Sequence, residues 1–293
     1  MGKTSCWIEA IRLRTLPVSV AGVLAAIGYA LMDGCFQPLP AVLCLVFAVL
    51  AQVASNFANE YYDFKAGLDR PGREGPRRGV TEGDISPRAM LVATFVTLGL
   101  ACAVGCALIF WGGWWLVPVG ITIAVGVLAY STGPYPLSHH GLGEVAVIFF
   151  FGIIPVNMTF YLMAAAFDLS VFLGSLAIGL MGANVLLVNN YRDLEDDEAV
   201  GKRTLAVIAG RRVASSLYLI NGIAAVALMC GAWLALGPVW LLIPVSYAVA
   251  HVAVWLAVVS RRGIALNPLL GATAMLMLIY AAAFLVAASM SGV

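Results

Sequence analysis

Two segments of the 293-residue chain set amides and carboxylates four residues apart. The first is Asn59-Glu-Tyr-Tyr-Asp63, followed by Gly67 and Asp69; the second is Asn189-x3-Asp193-x3-Asp197, followed by Gly201 and Lys202. Side chains four apart stack on one helix face, so each segment offers a column of hard oxygen donors. Gly67 reads as a helix terminator that lets Asp69 fold back toward Asp63. The shared Asn-x3-Asp and trailing glycine form a weak internal repeat. Oxygen donors on facing helices suit Mg²⁺, which usually completes its shell with substrate phosphates. The bases Arg12, Lys65, Arg70, Arg77, Arg78, Lys202 and Arg203 lie around these motifs, and guanidinium groups grip phosphate oxygens bidentately. The chemistry expected is metal-assisted handling of a diphosphate.

The alternative is a solvated loop with helix-end charges, and Glu60, Glu74, Glu82, Asp84, Glu195 and Glu198 are read that way. The repeated Asn-x3-Asp and Asp-x3-Asp pairs are read as functional, because acids at a membrane edge carry a desolvation cost. Other chemistries find no support. Gly201-Lys202 is followed by Arg203 rather than the Ser or Thr of a P-loop, and no H-E-x-x-H occurs. His139, His140 and His251 are read as structural or surface residues, with His139 the most interesting. Six scattered cysteines show no zinc spacing, and Cys102 and Cys106 are expected to be ordinary buried thiols.

The elements that must position these groups are membrane helices. Hydrophobic residues make up 62% of the chain and charged ones 11%, with a mean hydropathy of +0.97. Such a chain cannot clothe its surface in polar groups, so its solvent is the lipid bilayer. A net charge of +1 argues against a nucleic-acid partner. Nine apolar stretches are long enough to span, near 17–32, 39–59, 88–110, 114–131, 145–166, 170–190, 214–236, 239–259 and 268–290. The basic start and first apolar run imitate a signal peptide, but the run is read as the first span. All 16 Lys and Arg residues then fall on one side of the nine-span topology, which makes that side cytoplasmic. The expected fold is an all-α integral membrane protein, a single domain over 1–293. It is a nine-transmembrane-helix bundle with its N-terminus cytoplasmic and its C-terminus outside. Of the 15 acids only Asp33 and Asp168 lie on the outer side, a bias that the positive-inside rule does not require.

These motifs resemble the two aspartate-rich motifs of the UbiA superfamily of intramembrane prenyltransferases. Within it, Asn59-x3-Asp63-x3-Gly67-x-Asp69 is most similar to the 1,4-dihydroxy-2-naphthoate prenyltransferases (MenA) of menaquinone synthesis. Further similarities are Arg12-Leu-Arg14-Thr-Leu-Pro17, Gly75-Pro-Arg77-Arg-Gly79, Tyr130 with Gly133-Pro134, Gly141-Leu-Gly143-Glu144 and Asn189-Asn-Tyr-Arg192-Asp193. The commoner superfamily motif has Asp where this chain has Gly67, so the third carboxylate falls to Asp69. Glu60 replaces a frequent Asp.

The resemblance implies Mg²⁺ held by Asn59, Asp63, Asp69, Asp193 and Asp197 in the cytoplasmic membrane, at its inner face. The implied substrates are a polyprenyl diphosphate and 1,4-dihydroxy-2-naphthoate. It adds Tyr130, Glu144, Asn189 and Arg192 to the bases as substrate-binding residues. Tyr62 and Tyr130 either shield an allylic cation or pack at the interface. Glu144 either orients the acceptor or is a helix N-terminal charge. Rival readings are another aromatic acceptor, such as 4-hydroxybenzoate or homogentisate, and a secondary transporter. Transporter sites lie near the bilayer midplane, where no span here carries a charge.

Overall fold

The computed structural model describes residues 3–69, 75 and 77–291; Arg70 and Glu74 lie outside them. Every regular element among the described residues is helical. α1 (Lys3–Ile11) meets α2 (Leu16–Met32) at a 50° bend. α3 (Pro38–Lys65), α4 (Pro87–Gly112) and α5 (Leu116–Ala129) follow. α6 (Gly143–Val147), a π-helical stretch (Ile148–Ile153) and α7 (Ile154–Ala164) make one rod. After it come α8 (Leu169–Arg192), the short α9 (Leu194–Ala199), α10 (Leu205–Leu236), α11 (Leu242–Ser260) and α12 (Asn267–Met290).

Each of the nine apolar stretches overlaps one of these rods. Among the described residues seven helices are long and apolar enough to cross a bilayer, or eight if the bent α1–α2 pair is one span. α5, with 14 residues, is apolar but shorter. The chain's punctuation sets the ends. Ser86, Asp168 and Thr204 cap α4, α8 and α10 by accepting first-turn amides, as short polar side chains do. Gly210, at φ +79°, breaks α10 into a short entry turn and a long rod.

α8 lies at the centre, packed on α10, α12, α7 and the π-helical stretch. Lipid supplies no hydrophobic drive between helices, so close packing must hold them. Small residues allow it: a Cβ on Gly152 would sit 2.4 Å from the Ser175 carbonyl and 2.5 Å from Gly179 Cα. Within the core, the Trp233 indole donates to the Tyr280 hydroxyl at 2.7 Å. His251, read from the sequence as structural or surface, is buried, with Nε2 3.0 Å from the Tyr218 carbonyl.

The expectation of buried thiols fails for Cys102 and Cys106, which are exposed, as is Cys230. The physical reason is that a lipid-facing surface is as apolar as the core, so apolar context does not reveal burial.

Candidate active site

Both acidic motifs end their helices by the same device. Gly67 takes φ +71°, the Leu68 amide donates to the Asp63 carbonyl at 2.9 Å, and Gly67 donates to Phe64. Gly201 takes φ +75°, the Lys202 amide donates to the Asp197 carbonyl at 2.9 Å, and Gly201 donates to Glu198. These paired bonds are the Schellman signature, which needs a left-handed residue and so favours glycine. The trailing glycines read from the sequence thus share one structural role, but they align Asp63 with Asp197, whereas the Asn-x3-Asp repeat aligns Asp63 with Asp193 at the end of α8.

The two carboxylates meet across one cation. Lys202 Nζ lies 3.9 Å from Asp63 Oδ2 and 3.8 Å from Asp197 Oδ1. Asn59 Nδ2 donates to Asp63 Oδ2 at 3.0 Å and to the Ser131 hydroxyl at 3.1 Å. Its Oδ1 accepts from Arg12 Nη2 at 2.6 Å and from Arg78 Nη2 at 3.2 Å. Arg12 reaches it from the α1–α2 bend, where φ is +57°. That conformation strains a residue with a side chain and is stored where surrounding contacts impose it. Asn56 on α3 imposes it by donating to the Ile11 carbonyl at 2.8 Å. Arg78 Nε faces Asp69 Oδ2 at 3.4 Å, so Asp69 does return to the cluster after Gly67. Arg78 is buried and its Nη1 has no hydrogen-bond partner.

The second motif is stiffer. Arg192 clamps Asp193 bidentately, at 2.7 and 2.8 Å, and also donates to Asn189 and to Asn267 at 2.9 Å each. Asn190, the neighbour, donates to Glu144 Oε1 at 2.8 Å across to α6.

These groups adjoin a cavity of about 460 Å³, which Arg12, Asn59, Arg77, Arg78, Tyr130, Glu144, Asn189, Arg192 and Lys202 help to line. A second cavity, of about 320 Å³, is almost wholly apolar and runs between α3, α4, α5 and the α6–α7 rod. The two share Gln52, Ser55, Tyr130, Val147 and Phe151, so a charged mouth opens onto a greasy pocket.

A model of the UbiA prenyltransferase family matches residues 19–282. The chain belongs to the UbiA prenyltransferase family. It is 34% identical to the 1,4-dihydroxy-2-naphthoate octaprenyltransferase of Mycobacterium leprae, over 100% of this chain and 99% of that one. To the enzyme of the same name from Escherichia coli K12 it is 36% identical, over 72% of this chain and 70% of that one. A solved UbiA homologue from Archaeoglobus fulgidus, bound to GPP and Mg²⁺, has a TM-score of 0.68 at 17% identity and covers 96% of this chain and 99% of its own. That likeness shows the fold.

Within this UbiA bundle the expected site residues do not all gather. Lys65 and Arg203 are exposed and line neither cavity. Arg203 contributes through its backbone, whose amide donates to the His139 carbonyl at 3.2 Å. Arg77 lines the cavity but is paired with Asp84 at 2.7 Å. Arg70 lies outside the described residues. Tyr62 packs edge-on against Tyr61 and lines neither cavity, whereas Tyr130 stands where the two join.

Glu60 corrects the surface reading given above. It is buried, and its carboxylate accepts the Val80 amide at 3.0 Å, holding the turn that presents Arg78. A carboxylate next to a helical oxygen column reads from the sequence as its solvated rim. Glu195 fits that reading better: it is exposed and paired with Arg211. Burial pushes its carboxyl up, but the Arg211 hydrogen bond, a backbone amide and the charges of Arg211 and Arg262 together outweigh that and hold it below the usual range.

Sequence reasoning undervalued His139, whose Nε2 lies 3.4 Å from Asp63 Oδ1, and missed Ser131 and Asn267. Loop residues without a spacing pattern give no signal of this kind.

Proposed function

We propose that the chain transfers a polyprenyl group from a polyprenyl diphosphate to 1,4-dihydroxy-2-naphthoate, releasing diphosphate and CO₂, in menaquinone synthesis. The observation that carries this is the junction of the charged cavity with the apolar one, because an amphiphile with an anionic head and a long apolar tail fits both ends. The names of the relatives from Mycobacterium leprae and Escherichia coli support the acceptor.

Arg12, Arg78 and Lys202 bind the diphosphate oxygens. The partnerless Arg78 Nη1 is a donor ready for one of them. Charge grows on the leaving oxygens as the allylic C–O bond breaks, and fixed donors in a water-poor site stabilise it. Tyr130 faces the allylic carbon at the junction and shields its charge with the ring. The apolar cavity excludes water that would capture the cation.

The donor chemistry fits Mg²⁺. Among the described residues no group of three or more acids, His or Cys stands ready to hold a metal alone. Mg²⁺, however, commonly takes one or two carboxylates and completes its shell with phosphate oxygens. Asp63 and Asp197, already facing one cation, are the first candidates, with Asn59, Asp69 and Asp193 beside them. The metal, when bound, neutralises diphosphate charge.

We read the chain as one domain of nine spans in the cytoplasmic membrane. The N-terminus and the charged mouth lie inside and the C-terminus outside, from the one-sided distribution of Lys and Arg.

The test is mass spectrometry of purified protein given the naphthoate, a polyprenyl diphosphate and Mg²⁺. A prenylated naphthol lacking CO₂ is the expected product. Product from 4-hydroxybenzoate but none from the naphthoate would discard this acceptor.

A further inference from the structure

Glu9 and Glu144 both line the charged cavity outside the diphosphate chemistry, and of the two Glu144 is the buried one. It sits at the start of α6, 6% exposed, and lines the cavity beside Tyr130. Its Oε1 accepts from Asn190 Nδ2 at 2.8 Å, which fixes the group in place. Its Oε2 is buried with no hydrogen-bond partner. The cations of the site point elsewhere: Arg12 and Arg78 to Asn59, Lys202 to Asp63 and Asp197, and Arg192 to Asp193. Burying a carboxylate oxygen with nothing to accept is costly, and such an oxygen calls for a ligand to complete it.

The ligand's chemistry follows from the surroundings. An anionic diphosphate is repelled by an uncompensated carboxylate, whereas an acidic hydroxyl supplies the missing proton donor. The Tyr130 ring lines the same cavity beside Glu144, and Gly143 packs tightly there: a Cβ would come within 3.0 Å of Leu186 and 3.5 Å of the Tyr130 hydroxyl.

We propose that Glu144 Oε2 is the base that removes a proton from a ring hydroxyl of the aromatic acceptor. This inference rests on the prenyl-transfer reading above. The O–H bond breaks and its proton bonds to Oε2. The freed electron pair enters the ring, and the adjacent ring carbon forms a C–C bond to the allylic carbon. The allylic C–O bond breaks at the same centre, and its electron pair leaves with the diphosphate. When CO₂ departs, the pair of its C–C bond restores the aromatic ring, and the ring oxygen takes the proton back from Oε2. Glu144 ends as it began.

The experiment compares the wild-type protein with Glu144→Gln and Glu144→Asp in detergent, with Mg²⁺, a prenyl diphosphate and the naphthoate. Glu144→Gln keeps the shape and an acceptor for Asn190 but loses the base, so kcat should fall about 10²-fold or more with the donor KM unchanged. Glu144→Asp keeps a carboxylate and should retain more activity than Glu144→Gln. A ring-fluorinated naphthoate, whose hydroxyl ionises more readily, should recover the Gln variant selectively. A Gln variant within about threefold of wild type, or equal gains from fluorination in both proteins, would overturn the inference. Absence of product from wild type would instead overturn the prenyl-transfer reading.

Discussion

Asp63 and Asp197 occupy the same position in two helix ends, each four residues before a left-handed glycine, and the Lys202 ammonium lies between them at 3.9 and 3.8 Å. Two buried carboxylates on facing elements repel unless a cation separates them. The chain supplies that cation from the residue after the second glycine. The arrangement is therefore held ready for positive charge, and on the proposed reading it exchanges part of that charge for a substrate-borne metal.

The two glycines set this geometry, so Gly67→Ala and Gly201→Ala should each cost about 1–3 kcal/mol, the usual cost of forcing a side chain into the left-handed region. Nothing lies within 4 Å of a Cβ at either site, so the loss is conformational rather than steric. Thermal unfolding in detergent checks the cost, and Asn, which tolerates this region better than Ala, should cost less.

Arg192 cannot be exchanged for Lys. One guanidinium holds Asp193 through two bonds and ties it to Asn189 and Asn267, a geometry that a point charge does not reproduce. Arg192→Met should destabilise by about 3–5 kcal/mol, as unpairing a buried carboxylate does, and Arg192→Lys should lose much of the activity while folding. Unfolding curves and turnover measured side by side separate the two effects.

How much of this was legible in advance divides by physics. The Asn-x3-Asp columns and their terminating glycines follow from helix periodicity and turn chemistry, which are local. The apolar stretches that became helices are equally local. Glu60 reads from the sequence as surface because its partner, the Val80 amide, comes from a loop brought in by tertiary folding, and the approach of the loop residue His139 to Asp63 is equally non-local. The outward cysteines were misjudged because lipid erases the contrast between surface and core. The joined cavities belong to no single segment and could be seen only in the folded chain.

Filling the apolar cavity should hurt the donor and spare the fold. Gly120 lines it, with nothing within 4 Å of a Cβ there. Gly120→Trp should raise the KM for a long-chain prenyl diphosphate about tenfold or more, since each methylene denied burial forfeits about 0.8 kcal/mol. An unchanged KM would remove the tail from this cavity.

Orientation is checked independently of catalysis. A reporter enzyme active only outside the cytoplasm, fused after Ser291, should be active, whereas one inserted in the loop between α9 and α10 should be silent. The reverse pattern would invert the topology and move the charged mouth to the other face.

The central claim is that Asp63 and Asp197 recognise a diphosphate through a divalent cation. The measurement that tests it most directly is diphosphate release from a prenyl diphosphate and the naphthoate by wild type and Asp63→Asn, with Mg²⁺ and with EDTA. The account predicts release by wild type that EDTA abolishes and added Mg²⁺ restores. In Asp63→Asn it predicts a fall of about 10²-fold or more, with the helical circular dichroism unchanged. Release that persists in EDTA, or an Asp63→Asn variant as active as wild type, would contradict it.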